Sequence, residues 1–204
     1  MTRSLKYGLD KIAALLGLLA LSPLFVIVSL LILLFNGRPV LFRQERIGLN
    51  ERPFTLFKFR TFSWTTNLNA TEKHVTRTGS FLRKSSLDEI PQLLNVLFGQ
   101  MSLVGPRPLL PRYLPYYTPV ERDRHLVKPG ITGWAQIKGR NRVVWDDRLA
   151  MDVWYVHNWS FGLDLSILWS TFLAVVLRKG VVVRQDMVMD ALDIERSKKL
   201  RDAN

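Results

Sequence analysis

An uncharged apolar segment interrupted by proline constrains this chain more than any other feature. Residues 12–35 carry no charged side chain, and Ser22 and Pro23 lie near their midpoint. About 20 apolar residues suffice for one helical crossing of a bilayer. Proline, however, removes a backbone hydrogen bond and clashes with the preceding helical turn. We therefore predict two helices that meet at a bend, where the Ser22 hydroxyl bonds a carbonyl group that the proline leaves free.

Basic residues flank both ends of this segment. They are Arg3, Lys6 and Lys11 on one side and Arg38, Arg43 and Arg46 on the other. The positive-inside rule therefore favours neither orientation of a single crossing. A re-entrant helix-break-helix, which dips into one leaflet and returns, satisfies both sets of charges. A single-pass helix with a proline kink is the main alternative, because a cleaved signal peptide has a shorter apolar region of about 7 to 15 residues.

The chain is strongly basic and has no cysteine. Its 204 residues include 29 Lys and Arg against 17 Asp and Glu, which gives a net charge of +12. This charge predicts an anionic partner, which can be nucleic acid, anionic lipid or a phosphorylated substrate. The apolar segment favours the last two. Without cysteine there is no disulfide or thiolate zinc site, so any metal should be a hard cation held by carboxylate and phosphate oxygen atoms.

A β-hairpin is predicted directly after the apolar segment. Residues 40–46 and 54–62 are rich in β-branched and aromatic residues, and a turn signal lies between them at residues 48–50. In the second run, phenylalanines alternate with Lys58 and Arg60. One face of the hairpin should therefore be buried while the other presents cations.

A loop and a helix are predicted next. Residues 63–79 are polar and are expected to form a loop. Residues 86–98 carry apolar side chains at helical spacing, and the capping-box pattern at Ser86 places the helix start near Asp88. The helix should end at Gly99.

The remaining chain is predicted to hold short elements and two longer helices. The prolines of residues 106–119 favour turns or short helices, and residues 144–157 favour a helix. Residues 165–177 are uncharged but too short to cross a bilayer. They suit either a helix in the lipid headgroup region or a buried core helix. The tail at residues 184–204 mixes both charge signs, which is typical of a surface helix or a partly disordered segment.

The adjacent acids Asp88 and Glu89 are the best candidates for catalysis. At a helix start such acids are more often capping groups. Here Arg83 and Lys84 lie just upstream, and cations and a helix N-terminus both keep a carboxylate ionised and available as a nucleophile. One acid can attack phosphorus while the other holds a divalent cation on the substrate phosphates. The pair therefore predicts phosphoryl transfer.

Two further motifs supply candidates for phosphate binding. Arg107 lies between two prolines, which stiffen the backbone so that its guanidinium can bind phosphate through two hydrogen bonds. Residues 128–141 are rich in glycine, which permits close approach of a ligand, and they end with Arg140 and Asn141. Taken alone, each motif is better explained as a structural turn.

Together, these pieces resemble the bacterial sugar transferase family, the monotopic phosphoglycosyl transferases that begin membrane-linked glycan assembly. The matching stretches are Ser22-Pro23 and residues 58–61, 82–93, 102–108, 129–136 and 152–156. They cover most of residues 10–178 and are highly specific as a set. The chain departs from the family pattern at Phe62, where methionine is expected, and at residues 63–78, which lack a Gly-rich pattern.

The resemblance implies an α+β, mostly helical fold. It implies a re-entrant membrane helix at residues 1–37, a catalytic domain with a small β-hairpin and an interfacial amphipathic helix at residues 38–180, and a tail at residues 181–204. It also implies a monotopic protein of the bacterial inner (cytoplasmic) membrane whose catalytic domain contacts anionic lipid on the cytoplasmic face. Nucleic acid is not an expected partner. The sequence encodes neither the donor sugar nor the oligomeric state, and a homodimer is kept as a candidate.

The resemblance implies a reaction as well. A sugar-1-phosphate would pass from a UDP-sugar to a polyprenol phosphate such as undecaprenyl phosphate, with release of UMP. Asp88 matches the aspartate that forms a covalent phosphosugar intermediate, which predicts ping-pong kinetics, and Glu89 matches the glutamate associated with Mg²⁺. The substrate-binding candidates are Lys58, Arg60, Arg83, Arg107, Arg140 and Asn141.

Two rival functions explain part of the sequence. A non-enzymatic basic membrane protein that binds anionic lipid or nucleic acid would account for the charge and the apolar segment. It would not require the acidic pair next to Arg83. An ordinary glycosyltransferase, which moves the sugar without its phosphate, would release UDP instead of UMP.

Overall fold

The protein is mostly helical with a few small sheets. The computed structural model describes residues 2–67, 70–139, 144–177 and 191–202, and for 64–67, 70–73, 200 and 202 it describes the backbone only. Two apolar helices come first, α1 (Arg3–Ala20) and α2 (Ser22–Asn36). Within the described ranges, no helix alone is both long and apolar enough to cross a bilayer. Together α1 and α2 have that length and apolarity, with a bend of 62° between them.

The break between α1 and α2 has the predicted chemistry. Pro23 lies in the first turn of α2, where a helix does not need its missing N–H. It cannot, however, donate to the carbonyl of Leu19, which the continuation of α1 would require. The Ser22 hydroxyl donates to that carbonyl instead, at 2.8 Å. The predicted hydrogen bond at the break is therefore confirmed.

Two antiparallel hairpins follow. The predicted hairpin is confirmed as β1 (Leu41–Ile47) paired with β2 (Pro53–Phe59). The predicted loop at residues 63–79 is wrong, because β3 (Phe62–Asn67) pairs with β4 (Ala70–Val75) and a helix begins at Arg77. The aromatic and β-branched residues of this stretch favour strands, although its many polar residues resemble a loop.

Arg60 does not continue the cationic face that the alternation predicts. Its side chain is 4% exposed, and its guanidinium donates to the carbonyls of Gly37 at 2.6 Å and Arg38 at 2.9 Å, and also to that of Asn36. The last carbonyls of a helix have no partner within it. Arg60 therefore ties the end of α2 to the first hairpin.

The helix expected over residues 86–98 begins later than predicted. After α3 (Arg77–Lys84), a 3₁₀ turn at Leu87–Glu89 precedes α4 (Gln92–Leu97). Ser86 adopts a left-handed conformation with φ of 58°, and its side chain makes no capping hydrogen bond. Pro91 fits just before α4, where no N–H is needed. The acidic pair thus lies in a tight turn before the helix and not at its start.

A third, parallel sheet holds the proline-rich part of the chain. β5 (Ser102–Val104) pairs with β6 (Gly130–Thr132). Glycine is required at this crossing, since a Cβ on Gly105 would lie 2.4 Å from the Lys128 carbonyl and one on Gly130 would lie 2.1 Å from the Gly105 nitrogen. These glycines allow close approach between two backbones, not only to a ligand. Between the strands, a 3₁₀ helix at Pro111–Tyr116 confirms the predicted short helix, and a second one follows at Glu121–Leu126, beyond the proline-rich residues.

Four helices complete the fold: α5 (Trp134–Gly139), α6 (Trp145–His157), α7 (Phe161–Val176) and α8 (Leu192–Asp202). The predicted helix at residues 144–157 is confirmed. Of the two alternatives for the tail, a surface helix or a partly disordered segment, the described residues 192–202 form a helix. In α7, Ile167 is fully buried while Trp169 is 62% exposed and Phe172 is 55% exposed. This exposed apolar face excludes a wholly buried core helix.

A buried polar network joins α1 to α7. The Lys6 ammonium lies 3.0 Å from the Asp164 carboxylate and 2.6 Å from the Ser102 hydroxyl, and it also bonds the Val104 carbonyl. Tyr155 donates to Asp164 at 2.6 Å. A buried charge needs such partners to offset its lost hydration. The network therefore fixes α1 and α7 against β5.

The predicted division of the chain into a membrane element, a catalytic domain and a tail stays a prediction.

Candidate active site

A large cavity holds the acidic pair. Its volume is about 1080 Å³, and its walls come from the first hairpin, the 3₁₀ turn and the helices α3, α5, α6 and α7. Among the described residues that line it, seven side chains are cationic and three are acidic. The cationic ones are Arg46, Lys58, Arg83, Lys84, Arg107, Arg124 and Arg148, and the acidic ones are Asp88, Glu89 and Asp152. This excess of positive charge suits a ligand with several phosphate groups.

Glu89 is neutralised by two cations. Its Oε1 atom lies 2.6 Å from the Lys58 ammonium and 3.0 Å from the Arg107 guanidinium. Burial alone would raise the pKa of Glu89, but Arg107 and Lys58 outweigh it and lower that pKa to about 2. Glu89 is therefore ionised at neutral pH.

Asp88 has a different environment although it is the next residue. Among the described residues, no hydrogen bond or ion pair to its carboxylate is found. Burial and the Glu89 charge raise the pKa of Asp88, against the opposing effects of Lys58, Arg107 and Arg83. The cations around Asp88 therefore oppose this rise in its pKa without reversing it, and the expectation that they keep Asp88 available as a nucleophile stays a prediction. A carboxylate without a bonded partner in a cationic cavity is available to attack an electrophile.

Arg83 is held by the side chain of Thr61, which lies just after the first hairpin. Its Nε atom donates to the Thr61 hydroxyl at 2.9 Å. Behind Thr61 lies Gly79 of α3, where an added Cβ would be only 1.8 Å from the Thr61 carbonyl oxygen. Glycine is thus required at residue 79 if α3 is to bring Arg83 against Thr61.

Arg107 is positioned by a buried ion pair. Its carbonyl accepts a hydrogen bond of 2.7 Å from Arg124, which is only 2% exposed and lies 2.7 Å from the Asp152 carboxylate. Arg124 also donates to the Tyr117 hydroxyl at 3.3 Å. Arg124 and Asp152 thereby fix the loop that presents Arg107 to Glu89.

The structure brings together five of the predicted site residues, namely Lys58, Arg83, Asp88, Glu89 and Arg107. Arg60 lies outside the cavity wall, at the end of α2. Arg140 and Asn141 lie outside the described residues, so their assignment stays a prediction. Trp134, from the glycine-rich motif, stacks on Trp154 with 4.8 Å between ring centres and is not part of the cavity wall.

Sequence reasoning missed four charged residues of the cavity: Arg46, Arg124, Arg148 and Asp152. Asp152 lies in one of the stretches that carry the family resemblance, which was a usable signal. Arg124 lies in a run of alternating charges that is typical of a solvated surface. Its partner is 28 residues away in the chain, and only the fold brings them together.

The acidic pair is the candidate site for a metal ion. In the part of the chain that the structure describes, no group of three or more His, Cys, Asp or Glu side chains could enclose one. Magnesium is commonly bound by only one or two carboxylates together with substrate phosphates and water. The contacts of Glu89 with Lys58 and Arg107 all end on Oε1. One carboxylate oxygen of Glu89 and the carboxylate of Asp88 therefore fit a metal that the substrate helps to hold.

Comparison with known proteins gives a consistent result. A family model described as bacterial sugar transferase matches residues 1–178. The chain is 50% identical over 181 residues to an uncharacterized sugar transferase, EpsL, of Bacillus subtilis, which covers 87% of this chain and 90% of the relative. It is 40% identical over 196 residues to the exopolysaccharide production protein ExoY of Sinorhizobium fredii, which covers 86% of this chain and 87% of that protein.

A longer relative has a more specific name. The UDP-glucose:undecaprenyl-phosphate glucose-1-phosphate transferase of Xanthomonas campestris is 42% identical over 185 residues. The match covers 83% of this chain but only 38% of that protein. The similarity therefore lies in one part of the longer protein.

Proposed function

The chain belongs to the bacterial sugar transferase family, and we propose that it transfers a sugar-1-phosphate from a UDP-sugar to a polyprenol phosphate such as undecaprenyl phosphate, releasing UMP. The observation that carries this proposal is the contrast within the acidic pair. Glu89 is bound by two cations, while Asp88 is half-buried in the same cationic cavity and its carboxylate has no bonded partner among the residues that the structure describes. This arrangement supports a nucleophile beside a charged anchor.

The cavity suits the donor because its excess of cationic side chains complements the negative charge of the donor diphosphate. A UDP-sugar carries a diphosphate, and its approach to an ionised aspartate brings negative charges together. Lys58, Arg83 and Arg107 line the same cavity as Asp88 and offset this repulsion. The Arg83 side chain is held by Thr61 and the Arg107 side chain by Glu89, so little side-chain entropy is lost when phosphate binds.

The proposed reaction has two displacement steps at one phosphorus atom. In the first, a carboxylate oxygen of Asp88 attacks the phosphorus that bears the sugar. The new bond joins that oxygen to phosphorus, the bond from phosphorus to the oxygen of UMP breaks, and UMP leaves with the electron pair. In the second, an oxygen of the polyprenol phosphate attacks the same phosphorus and the Asp88 carboxylate is regenerated. Because the two anionic substrates react in turn, ping-pong kinetics follow.

We also propose that Glu89 holds a magnesium ion. The oxygen of Glu89 that Lys58 and Arg107 leave free would hold the ion together with the donor phosphates. Bound there, the ion would neutralise charge on the leaving phosphate. Lys58 and Arg107 keep Glu89 ionised, which a metal ligand requires.

We place the protein at the bacterial inner membrane with the cavity on the cytoplasmic face. The bent apolar pair α1–α2 and the exposed apolar face of α7 support a membrane location. The basic flanks of the apolar segment support a re-entrant arrangement in contact with anionic lipid. The candidate homodimer stays a prediction.

Identification of the released nucleotide tests this function. The purified protein is incubated with UDP-sugars, a polyprenol phosphate and Mg²⁺, and the nucleotide product is separated. We expect UMP, and we expect no product after chelation of the metal. Release of UDP would point to transfer of the sugar without its phosphate. Salt-sensitive DNA binding without turnover would support the non-enzymatic alternative.

A further inference from the structure

The C-terminal helix α8 lies beyond the residues that the family model matches, which end at residue 178. It is nevertheless packed against the rest of the protein. Leu192, its first residue, is fully buried in a core cluster together with Leu109 and Leu149. The next residue, Asp193, lies 3.4 Å from the Arg112 guanidinium. The helix α8 is therefore a docked element of the fold and not a solvated tail.

The core partners of Leu192 adjoin two cations of the active-site cavity. Leu109 lines the cavity and lies two residues after Arg107. Leu149 directly follows Arg148, which also lines the cavity. The helix α8 thus packs behind the side of the cavity that carries both arginines.

Arg196 of α8 connects two other elements through one guanidinium. Its Nη2 atom lies 2.7 Å from the Glu121 carboxylate and 2.5 Å from the Asp146 carboxylate. Glu121 begins the 3₁₀ helix Glu121–Leu126, and Asp146 lies in the first turn of α6. The side chains of Arg196 and Glu121 are only 17% and 12% exposed. Water and salt screen such a partly buried ion pair less than a pair on the surface.

The same two elements carry the ion pair that positions Arg107. Arg124 lies three residues after Glu121, which is one turn along the 3₁₀ helix, and it donates to the Arg107 carbonyl at 2.7 Å. Its carboxylate partner, Asp152, lies on α6. Arg196 therefore holds together the two elements on which the pair of Arg124 and Asp152 depends.

We propose that Arg196 is a positioning residue, which keeps Arg107 in place for the donor phosphates by fixing the 3₁₀ helix Glu121–Leu126 against α6. This inference rests on the proposed function, because it concerns the donor of that same site. Without Arg196 the 3₁₀ helix can shift relative to α6, and the loop that carries Arg107 shifts with it. Phosphate binding is then weaker although every group that contacts phosphate is still present.

Arg196→Met and Lys199→Met provide a matched test. The Lys199 ammonium lies 3.1 Å from the carboxylate of Asp146 and 3.1 Å from that of Glu195. These are its acidic partners in the part of the chain that the structure describes, and neither belongs to the 3₁₀ helix. Both variants thus remove a cation of α8 that bonds Asp146, but only Arg196→Met also breaks the connection to Glu121.

Donor binding is measured by calorimetric titration with a UDP-sugar and Mg²⁺ in nanodiscs, in an Asp88→Asn background that forms no adduct. We expect Arg196→Met to raise the Kd of the UDP-sugar about fivefold, and Lys199→Met to change it less than about twofold. Glu121→Gln removes the charge of the other partner and keeps an oxygen atom for the Thr118 N–H. It should weaken binding in the same way, and it serves as a second variant if Arg196→Met does not fold.

Hydrogen exchange of the unliganded protein gives a readout that a loss of overall stability would not reproduce. In Arg196→Met the backbone amides of residues 105–110 and 121–126 should exchange about fivefold faster, while those of α4 keep their rates. Faster exchange to the same extent throughout the chain would overturn the inference, because Arg196 would then have only a general structural role.

Two further outcomes separate this inference from the proposed function. Equal donor affinity in Arg196→Met and Lys199→Met would overturn the positioning role, even in a protein that releases UMP. If the unmodified protein released no UMP while Arg196→Met showed the local change in exchange, the proposed function would fail and the positioning of Arg107 by Arg196 would stand.

Discussion

The ammonium group of Lys58 lies 2.6 Å from the carboxylate of Glu89. This contact connects the two acids electrostatically, because the Lys58 charge lowers the pKa of both Asp88 and Glu89. For Glu89 the ordinary pKa of 4.5 falls to about 2 in the folded protein. Its ionisation therefore contributes about 3 kcal/mol of stability above pH 4.5, which is lost as the pH falls toward 2.

Replacement of Lys58 should change the pH dependence of adduct formation. Asp88 attacks as a carboxylate, so the rate of adduct formation falls as the pH decreases through its pKa. Burial and Glu89 already raise this pKa, and Lys58 opposes them. In Lys58→Met we expect the acidic limb of the rate profile to move to higher pH by about 1 unit. The measurement is the single-turnover rate of UMP release between pH 4 and pH 8.

Lys84→Met is the control for this prediction. Lys84 lines the same cavity, but the charges that act most strongly on the pKa of Asp88 are those of Glu89, Lys58, Arg107 and Arg83. Its removal should leave the acidic limb in place. An identical shift in both variants would mean that the overall charge of the cavity, and not the Lys58 contact, sets the pKa of Asp88.

Gly79→Ala should destabilise the protein and displace Arg83. The new Cβ would lie 1.8 Å from the Thr61 carbonyl oxygen. This oxygen belongs to the backbone, which cannot move aside as easily as the end of a flexible side chain. We expect a loss of about 1–3 kcal/mol in the free energy of unfolding, together with a higher KM for the donor. Thermal unfolding and donor titration measure the two effects.

Gly8→Ala provides a comparison in an open position. An added Cβ at Gly8, inside α1, meets no atom within 4 Å, and alanine favours a helix by about 1 kcal/mol relative to glycine. This variant should be neutral or more stable. If Gly79→Ala were as stable as Gly8→Ala, the close packing of α3 on Thr61 would be wrong.

Cysteine labelling can test the re-entrant arrangement, because the natural chain has no cysteine. Ser4→Cys and Arg38→Cys place single thiols in the first turn of α1 and after α2. In the re-entrant arrangement both should react with a membrane-impermeant maleimide from the cytoplasmic side only. A double change of Ser22 and Pro23 to Ala removes the break and should straighten the pair. Reaction of the two thiols from opposite sides in the unmodified background would instead support a kinked single pass.

Local patterns in the sequence predicted much of the fold. The break at Pro23 and the first hairpin follow from a proline, a turn signal and alternating side chains, which act over a few residues. The helix start near Asp88 was misplaced because Ser86 adopts a left-handed turn that no capping pattern encodes. The second hairpin was missed because its many polar residues, threonines among them, resemble a loop.

The candidate site likewise contains some residues that the sequence could group and others that only the fold brings together. Asp88 and Glu89 are adjacent, and Lys58, Arg83 and Arg107 lie in recognisable motifs, so the sequence could group them. Arg124 and Asp152 form a buried pair only after the chain has folded. Arg60 is the opposite case. The sequence assigned it to the substrate-binding site, but its guanidinium bonds carbonyl groups at the end of α2.

Mass spectrometry of the trapped intermediate tests the central claim most directly. The purified protein is mixed with a UDP-sugar and Mg²⁺ in the absence of acceptor, quenched in acid and digested. We predict a peptide that carries one added sugar phosphate on Asp88. This adduct should be absent from Asp88→Asn, which should still associate with membranes, and it should disappear when polyprenol phosphate is added. An unmodified Asp88 peptide in protein that turns over, or appreciable turnover by Asp88→Asn, would contradict the account.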